Sequence, residues 1–455
     1  MQMKSTVLSC ALLASMTLVS HSAWAAVSAE EAAKLNTTLT PLGAERAGNK
    51  DGSIPAWTGT VTRLPAGYKS GEPRPNPFPA EKPVLIITAG NMAAHADKLS
   101  DGVKALLQKY PSYRVDVYPT HRTAVAPQRV YDNTARNATR AKLQDGGQGV
   151  QGAYGGIPFP LAKDGNEALW NHRLAWVGNN VTSTVRVFMA TADGKRSMPS
   201  AGNQTWSFPY YDQDGSLEKF QGYYLLGKFV TTGPGSKAGE AILVHESADP
   251  ARQPRNLWQY LVGQRRVRKA PSVAYDTPDA VTSGIGLTDE AFNLFGPLDK
   301  HELKLVGKRE MYIPYNNTMA AQVKVDELLG ANHLNPDQVR WELHRVWEVE
   351  ATLKAGQRHV VSKRKYYFDE DTWQIMIFDG WDAKGQLWRT NYTLAVYLAD
   401  VPAVVGNTMW GGYDLQTGAY YINMAPNELP ANYKQLPAIP ASFFSPETLA
   451  SEGAR

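Results

Sequence analysis

Two pairs of carboxylates in the second half of the chain have the residue types that glycoside hydrolysis uses. Glu348 and Glu350, and likewise Asp369 and Asp371, are two positions apart, a spacing that places both side chains on one face of a β-strand. Two such groups can act as acid and base on a glycosidic bond. Exposed carboxylates are common and catalytic pairs are not, so a solvated strand face is the favoured interpretation. A hydrolase is the least favoured alternative.

Other short patterns resemble metal-binding or nucleotide-binding motifs but lack an essential residue. His245 and His301 are each followed by Glu, as in zinc proteases, yet the second histidine four positions on is missing. Phe229 stands where a phosphate-binding loop needs Ser or Thr, and residues 212–215 form half of a calcium loop without its distal Glu. No G-x-S-x-G motif occurs. We therefore predict no catalytic residues, no metal site and no cofactor.

Aromatic and apolar residues are the better candidates for a binding site. The chain has 12 Trp and 22 Tyr, which favour β-structure and can hold an apolar or planar molecule. If the sheet curves around a cavity, its inward-facing side chains would line that cavity. The predicted cavity-lining residues are Trp258, Tyr260, Trp341, Leu343, Trp347, Val349 and Trp373. Ordinary core packing is the competing interpretation, and the sequence does not decide between the two.

A basic run near the middle of the chain offers a second kind of contact. Arg265, Arg266 and Arg268 lie close together, next to Lys269. As a basic rim, the three arginines would meet an anionic head group or a membrane surface. The competing interpretation is a set of charges that protects an edge strand and faces water. The formal net charge of +4 is too small to indicate a nucleic-acid partner.

An alternating pattern predicts the strands that would carry these residues. From 341 to 353, apolar residues alternate with polar ones that include Glu342, His344 and Glu348, which predicts a long strand with one apolar face and one face in water. The other predicted strands cover 181–190, 216–230, 241–246, 257–269, 359–368, 373–379 and 387–398, and residues 409–424 are predicted to form a hairpin. Short turn sequences join them, which predicts an antiparallel meander without parallel βαβ units.

The predicted fold class is α+β, mainly antiparallel β, in one large domain. Apolar residues at helical spacing predict helices at 91–109 and 166–176. The predicted divisions are a signal peptide at 1–25, an extended Pro- and Gly-rich arm with a short helix at 26–90, helices and a loop at 91–176, an antiparallel β half-barrel at 177–425 that forms one domain with 91–176, and an irregular tail at 426–455.

The N-terminus predicts export. Lys4 precedes an apolar stretch at 7–19, and Ala23-Trp24-Ala25 is a small-x-small site, so we expect a secretory signal peptide that is cleaved after Ala25. Cys10, the only cysteine, loosely fits a lipidation site, but cleavage there would leave apolar residues on the mature chain, so lipidation is less favoured. A chain cleaved after Ala25 has no thiol for a disulfide or a metal. No later segment is apolar for long enough to span a bilayer.

Several ordered phrases resemble one family of exported bacterial proteins, domain of unknown function 1329 (DUF1329). The phrases are Leu42-Gly43-Ala44-Glu45-Arg46-Ala47-Gly48-Asn49, Ile54-Pro55-Ala56-Trp57-Thr58-Gly59, Tyr118-Pro119-Thr120-His121-Arg122-Thr123, Gly155-Gly156-Ile157-Pro158-Phe159-Pro160, Trp258-Gln259-Tyr260 with Gly263-Gln264-Arg265-Arg266-Val267-Arg268, Gly307-Lys308-Arg309-Glu310-Met311-Tyr312-Ile313-Pro314-Tyr315-Asn316, and Lys365-Tyr366-Tyr367-Phe368-Asp369-Glu370-Asp371. The resemblance covers nearly the whole mature chain. It implies no catalytic residues, because none are defined for the family.

The resemblance also implies a fold and a setting. The family looks like an enlarged relative of the LolA/LolB outer-membrane lipoprotein-sorting proteins, with a large curved half-barrel sheet whose concave face is covered by helices over an apolar cavity. Its members tend to be encoded near resistance-nodulation-division exporters and outer-membrane channels. We therefore expect a periplasmic carrier for a lipid, a lipoprotein acyl chain or another hydrophobic molecule, with peripheral membrane contact. The main alternative is a non-catalytic scaffold between an inner-membrane exporter and an outer-membrane channel.

Overall fold

The computed structural model describes residues 27–61, 64–270, 273, 275–297 and 299–453. The predicted signal peptide, with its cleavage site after Ala25, lies outside the described residues. Within the described ranges, no helix combines the length and the hydropathy that crossing a bilayer requires.

One large sheet organises the described chain. Its strands are β1 (Leu85–Ile87), β2 (Val115–Val117), β5 (Asn180–Ala190), β6 (Arg196–Ser207), β7 (Tyr223–Gly233), β8 (Ala241–Ser247), β9 (Asn256–Leu261), β10 (Arg266–Lys269), β11 (His301–Pro314), β12 (Trp341–Leu353), β13 (Val361–Asp369), β14 (Ile375–Asp382), β15 (Leu387–Thr393), β18 (Trp410–Asp414), β19 (Tyr420–Asn423) and β20 (Lys434–Gln435). Two hairpins stand apart, β3 (Lys142–Gln144) with β4 (Gly149–Gln151) and β16 (Val396–Leu398) with β17 (Ala403–Val405).

The sheet is open and almost wholly antiparallel. Its strand order is β1-β2-β12-β13-β14-β15-β18-β19-β5-β6-β7-β8-β9-β10, with β11 also paired to β12 and β20 to β5. The contact between β2 and β12 is the parallel exception. The predicted mainly antiparallel α+β class is therefore confirmed.

Both faces of the sheet are covered by other parts of the chain. Directly paired residues of neighbouring strands point to the same face, so a row of paired residues identifies one face. One row contains Trp206, Gly227, Val244 and Leu257, and we call the side that carries it the cavity face. Residues 275–297, the covering segment, cross this face and contain two short 3-10 turns, Ala280–Thr282 and Thr288–Asn293. The cover of the cavity face is thus largely irregular chain.

The α-helices of the described chain are short. They are α1 (Ala29–Ala32), α2 (Asp101–Lys109), α3 (Gln128–Arg140), α4 (Gly165–Arg173), α5 (Thr318–Gln322), α6 (Val325–Leu328) and α7 (Pro446–Gly453). The single helix predicted at 91–109 is a 3-10 helix, Met92–Lys98, followed by α2. The break has a local cause, since the Ser100 hydroxyl accepts the Val103 N–H at 3.2 Å and so caps a new helix.

Other differences from the predicted elements arise where the local pattern is weak or misleading. The strand predicted at 257–269 is a hairpin, because Arg265 adopts a left-handed conformation with φ of 47° and reverses the chain. The polar β6 and the charge-rich β11 gave no clear alternation and were not predicted. The tail predicted to be irregular contains β20 and α7, and Phe444 and Leu449 bury themselves against the sheet.

Candidate functional site

A cavity of about 160 Å³ lies between the cavity face and the covering segment. Its floor is formed by apolar side chains of neighbouring strands and its roof by the covering segment. The floor residues include Val185, Gln204, Trp206, Phe229, Ile242, Val244, Leu257, Trp410, Asn423 and Met424, and the roof residues include Val281, Ala291, Phe292 and Phe295. The floor draws on every strand from β18 to β9 in the sheet order. The lining residues thus span seven neighbouring strands, and we call the space that they enclose the slot.

A second cavity of about 60 Å³ adjoins the first. The two share the rings of Trp206, Phe292 and Phe295. The smaller cavity is also lined by Arg173 and Tyr224. Together the two cavities form a mainly apolar space, with Arg173 lining the smaller cavity and Arg255 lining the larger one.

Several buried polar atoms at the main cavity have no hydrogen-bond partner among the described residues. They are Nη2 of Arg255, Nε1 of Trp410 and Oδ1 of Asn423. Buried polar groups are normally paired, so an unpaired set of them at a cavity is a recognised feature of binding sites. Asp279 also lines the cavity, and burial raises its pKa to about 6, but it caps the turn that follows by accepting the Val281 N–H at 3.0 Å.

Buried ion pairs anchor the covering segment to the sheet. Oδ2 of Asp289 lies 2.8 Å from Nη2 of Arg364 and 3.0 Å from Nε2 of His359. Although burial raises the pKa of Asp289, the charge of Arg364 and the hydrogen bond with His359 outweigh this effect and hold the pKa at about 2. Glu290 Oε2 lies 3.3 Å from Nη1 of Arg389.

The predicted cavity-lining residues of β12, and Trp373 in the turn between β13 and β14, lie in the main core, away from the 160 Å³ cavity. Val349 and Leu343 are buried there, and Trp341 lines a separate space of about 20 Å³. Trp347 stacks on Trp373 with ring centroids 6.0 Å apart.

The remaining predicted residues lie near the β9–β10 edge of the sheet. Trp258 and Tyr260 are on the side opposite the cavity, where they pack with Phe444 and Leu449 of the tail. Successive side chains of a strand point to opposite faces. Because Leu257 points to the cavity face, Trp258 and Tyr260 point to the opposite face, beneath the tail. The predicted basic rim, Arg265, Arg266 and Arg268, is exposed at the hairpin and on β10.

A cluster of buried charges lies on the other side of β12, and the sequence did not predict it. Glu342, His344 and Glu348 were expected in water but are 0%, 1% and 7% exposed, so that prediction is wrong. The alternation gave two faces correctly but could not show that the second is also covered. Oε2 of Glu342 lies 3.1 Å from Nε2 of His344 and accepts the backbone N–H of His121 at 2.8 Å.

Arg122 joins this cluster to the N-terminal arm. Its Nε and Nη2 donate to the two carboxylate oxygens of Asp371 at 2.8 and 2.6 Å. Nη2 also donates to the carbonyl oxygen of Glu45 at 2.7 Å, and Nη1 contacts the carbonyls of Arg46 and Pro55. Five of the phrases on which the family resemblance rests therefore meet at one place in the fold, at 42–49, 54–59, 118–123, 307–316 and 365–371.

The same cluster contains the one group of described residues whose arrangement could hold a metal ion. His344, Asp369 and Asp371 offer ligand atoms within 4.8 Å of one another. Both oxygens of Asp371 are already engaged by Arg122, whose positive charge opposes a cation at this place. We assign the cluster to the binding of the arm and the strands.

The fold and the site define a mainly antiparallel α+β protein that encloses an apolar slot beneath an irregular covering segment. The chain belongs to the DUF1329 family of proteins of unknown function, whose sequence model matches residues 86–450. The predicted family resemblance is therefore confirmed.

Similar proteins include one close in sequence and others related only distantly. The uncharacterized protein PA3922 of Pseudomonas aeruginosa is 39% identical over 445 residues, which cover 97% of each chain. A crystal structure of a DUF1329 family protein from Desulfovibrio piger matches at 13% identity and a TM-score of 0.40, over 60% of this chain and 92% of that one. A LolA superfamily protein from Nitrosomonas europaea matches at 12% identity and a TM-score of 0.35, over 62% and 98%. Similarities this distant carry no inference about function.

Proposed function

We propose that this protein is a periplasmic carrier that shields an apolar molecule in the slot beneath the covering segment. The observation that carries the proposal is the cavity of about 160 Å³, which is lined mainly by apolar side chains of seven neighbouring strands. Burying a hydrocarbon chain there is favourable by about 0.8 kcal/mol for each methylene group. The predicted signal peptide supports the periplasmic setting.

The size of the slot implies that its cover moves when a larger molecule enters. A cavity of about 150 Å³ is enough for benzene. A long acyl chain therefore needs the covering segment to shift outward, away from the rings of Trp206 and Trp410. The buried pairs of Asp289 and Glu290 then act as the anchors about which the segment moves.

Native ligand content and uptake of a probe test the carrier. The protein is purified from the periplasm without detergent, extracted with organic solvent, and analysed by mass spectrometry; the delipidated protein is then titrated with a fluorescent fatty acid. Val244→Phe places a ring in the slot and is expected to abolish most of the uptake, whereas Val262→Phe, at the exposed hairpin, is the matched control. Protein that carries no lipid and takes up no probe contradicts the proposal.

The alternatives receive no comparable support. Among the residues that line the slot, Asp279 is the one carboxylate, so the acid and base pair of a hydrolase is missing there. A scaffold between an exporter and a channel stays a prediction from the family resemblance. If the Val244→Phe variant binds such partners as tightly as the unmodified protein does, the result favours the scaffold over the carrier.

A further inference from the structure

Two guanidinium groups converge where the two cavities meet. The Cζ atom of Arg255 lies 5.1 Å from the ring centroid of Phe295, and its Nη1 donates to the carbonyl of Val273 at 3.2 Å. Arg173 donates from Nη2 to the carbonyl of Gly296, the next residue of the covering segment. A Cβ atom placed on Gly296 would be 4.0 Å from Nη1 of Arg255, so both arginines reach the same backbone turn.

The charge at this junction is unbalanced toward positive. Glu246 binds Arg255, with Oε1 2.5 Å from Nε. Arg173 has no ion pair with any carboxylate of the described residues. Tyr224 lines the smaller cavity together with Arg173. Burial and Glu246 raise the pKa of Tyr224, whereas Arg173 and Arg255 lower it. The junction beside the apolar slot thus holds two guanidiniums and one carboxylate, which pairs with Arg255.

One of these guanidiniums is incompletely satisfied. The side chain of Arg255 is only 13% exposed, and its buried Nη2 atom has no hydrogen-bond partner among the described residues. Leaving a charged donor unpaired in such a place is costly, and an anionic oxygen is the partner that a guanidinium binds most strongly.

We propose that Arg255 and Arg173 bind the anionic head group of a single-chain amphiphile whose hydrocarbon chain lies in the slot. This inference rests on the proposed carrier function and adds the chemistry of the cargo. The small volume of about 160 Å³ favours one hydrocarbon chain over a bulky ring system, and one surplus positive charge fits a carboxylate or a phosphate monoester. Trp410 and Asn423 lie at the other end of the strand series that forms the floor.

Paired titrations test the head-group site. The delipidated full-length protein is titrated with a fluorescent fatty acid and with the fatty alcohol of the same chain, and unlabelled fatty acid and lysophosphatidic acid compete in separate arms to distinguish a carboxylate from a phosphate. The acid is expected to bind about 10- to 100-fold more tightly than the alcohol, the range for a charge-assisted hydrogen bond. Arg173→Gln and Arg255→Gln are each expected to reduce the affinity for the acid toward that for the alcohol.

Further variants separate the head-group contact from loss of folding. Glu246→Gln removes the competing carboxylate and is expected to raise the affinity for the acid, a gain that a misfolded protein cannot show. Arg252→Gln is the charge-matched control, because this arginine is exposed and pairs with Asp249 outside the slot. Equal affinities for acid and alcohol in the unmodified protein overturn this inference and leave the carrier intact. Failure to bind either probe overturns the carrier itself.

Discussion

The imidazole of His344 lies beside the carboxyl group of Asp369, with Nδ1 3.8 Å from Oδ1 and both side chains at most 1% exposed. On its other side, Nε2 of His344 meets Glu342 at 3.1 Å. Glu342 and Asp369 raise the pKa of His344 despite its burial. Burial, with the charge of Asp371 added, raises the pKa of Asp369 to about 7. The core of this protein therefore keeps protons at pH values at which an unfolded chain has already released them.

Stability is expected to fall as the pH rises from about 4 to about 7. In this range the unfolded chain loses the proton of Asp369 while the folded protein keeps it, so the free energy of unfolding decreases by up to roughly 1.4 kcal/mol per pH unit. His344 acts in the same direction, since stability from a raised histidine pKa is lost as the pH rises through that pKa.

Asp369→Asn isolates this effect, because the amide resembles the protonated acid at every pH. Urea unfolding from pH 5 to pH 8 is expected to show the unmodified protein losing stability relative to Asp369→Asn. Parallel profiles for the two proteins would show that Asp369 ionises normally in the fold.

Removing the anchor of the covering segment is expected to loosen that segment. Arg364→Met leaves Asp289 buried without its guanidinium partner, a change that costs about 3–5 kcal/mol. Amide hydrogen exchange should accelerate within 275–297 first. Arg345→Met breaks another buried pair, with Glu370 at 3.2 Å, and is the control that should leave exchange in this segment unchanged.

The arm is expected to detach when Arg122 loses its forked geometry. Arg122→Lys keeps the charge but cannot bind both oxygens of Asp371 and the carbonyls of the arm together. Limited proteolysis should then cleave within 41–61 well before it cleaves the unmodified protein there. Arg136→Lys, at an exposed position on α3, is the control and should not change the cleavage pattern. An unchanged pattern for Arg122→Lys would show that contacts other than those of Arg122 bind the arm.

Helix α2 is expected to tolerate no side chain at Gly102. A Cβ atom there would lie 2.2 Å from the side chain of Thr390 and 2.3 Å from Oδ1 of Asp379. The backbone N–H of Gly102 also donates to Asp379 at 3.0 Å. Gly102→Ala should cost about 1–3 kcal/mol in chemical denaturation, whereas Gln108→Ala on the exposed side should change stability by less than about 0.5 kcal/mol.

The length of chain that the proposed carrier accepts is expected to depend on Phe292. Its ring lies between Trp206 and Trp410, with centroids 5.9 and 5.4 Å away, and so narrows the slot. Phe292→Ala should shift the preferred fatty acid to a longer chain in displacement titrations across a chain-length series. Phe220→Ala, which removes a half-buried ring away from the slot, is the matched control. An unshifted preference would show that the chain does not pass Phe292.

The sequence predicted most of the sheet but did not single out the slot that we propose as the binding site. Strand β12 was found within its true bounds, because a run of alternating residues is a local signal. The aromatic stripe on this strand was a poor guide to the slot, since core packing and cavity lining require the same residue types. Arg255 and Phe292 were not singled out, because a lone arginine and a lone phenylalanine have no local pattern that marks a site.

The amino-acid sequence by itself determined the family, the antiparallel class and the two-sided character of the strands, since each depends on neighbouring residues. Only the tertiary structure decided what covers each side. Segments distant in sequence supply the cover. Residues 118–123 cover one face of β12, and residues 275–297 cover the slot. A period of two specifies that two faces exist, but whether a face meets water, charge or a cavity depends on chain brought there from far away. For this reason Glu342 and His344 are buried, and Trp258 packs beneath the tail while Leu257 faces the slot.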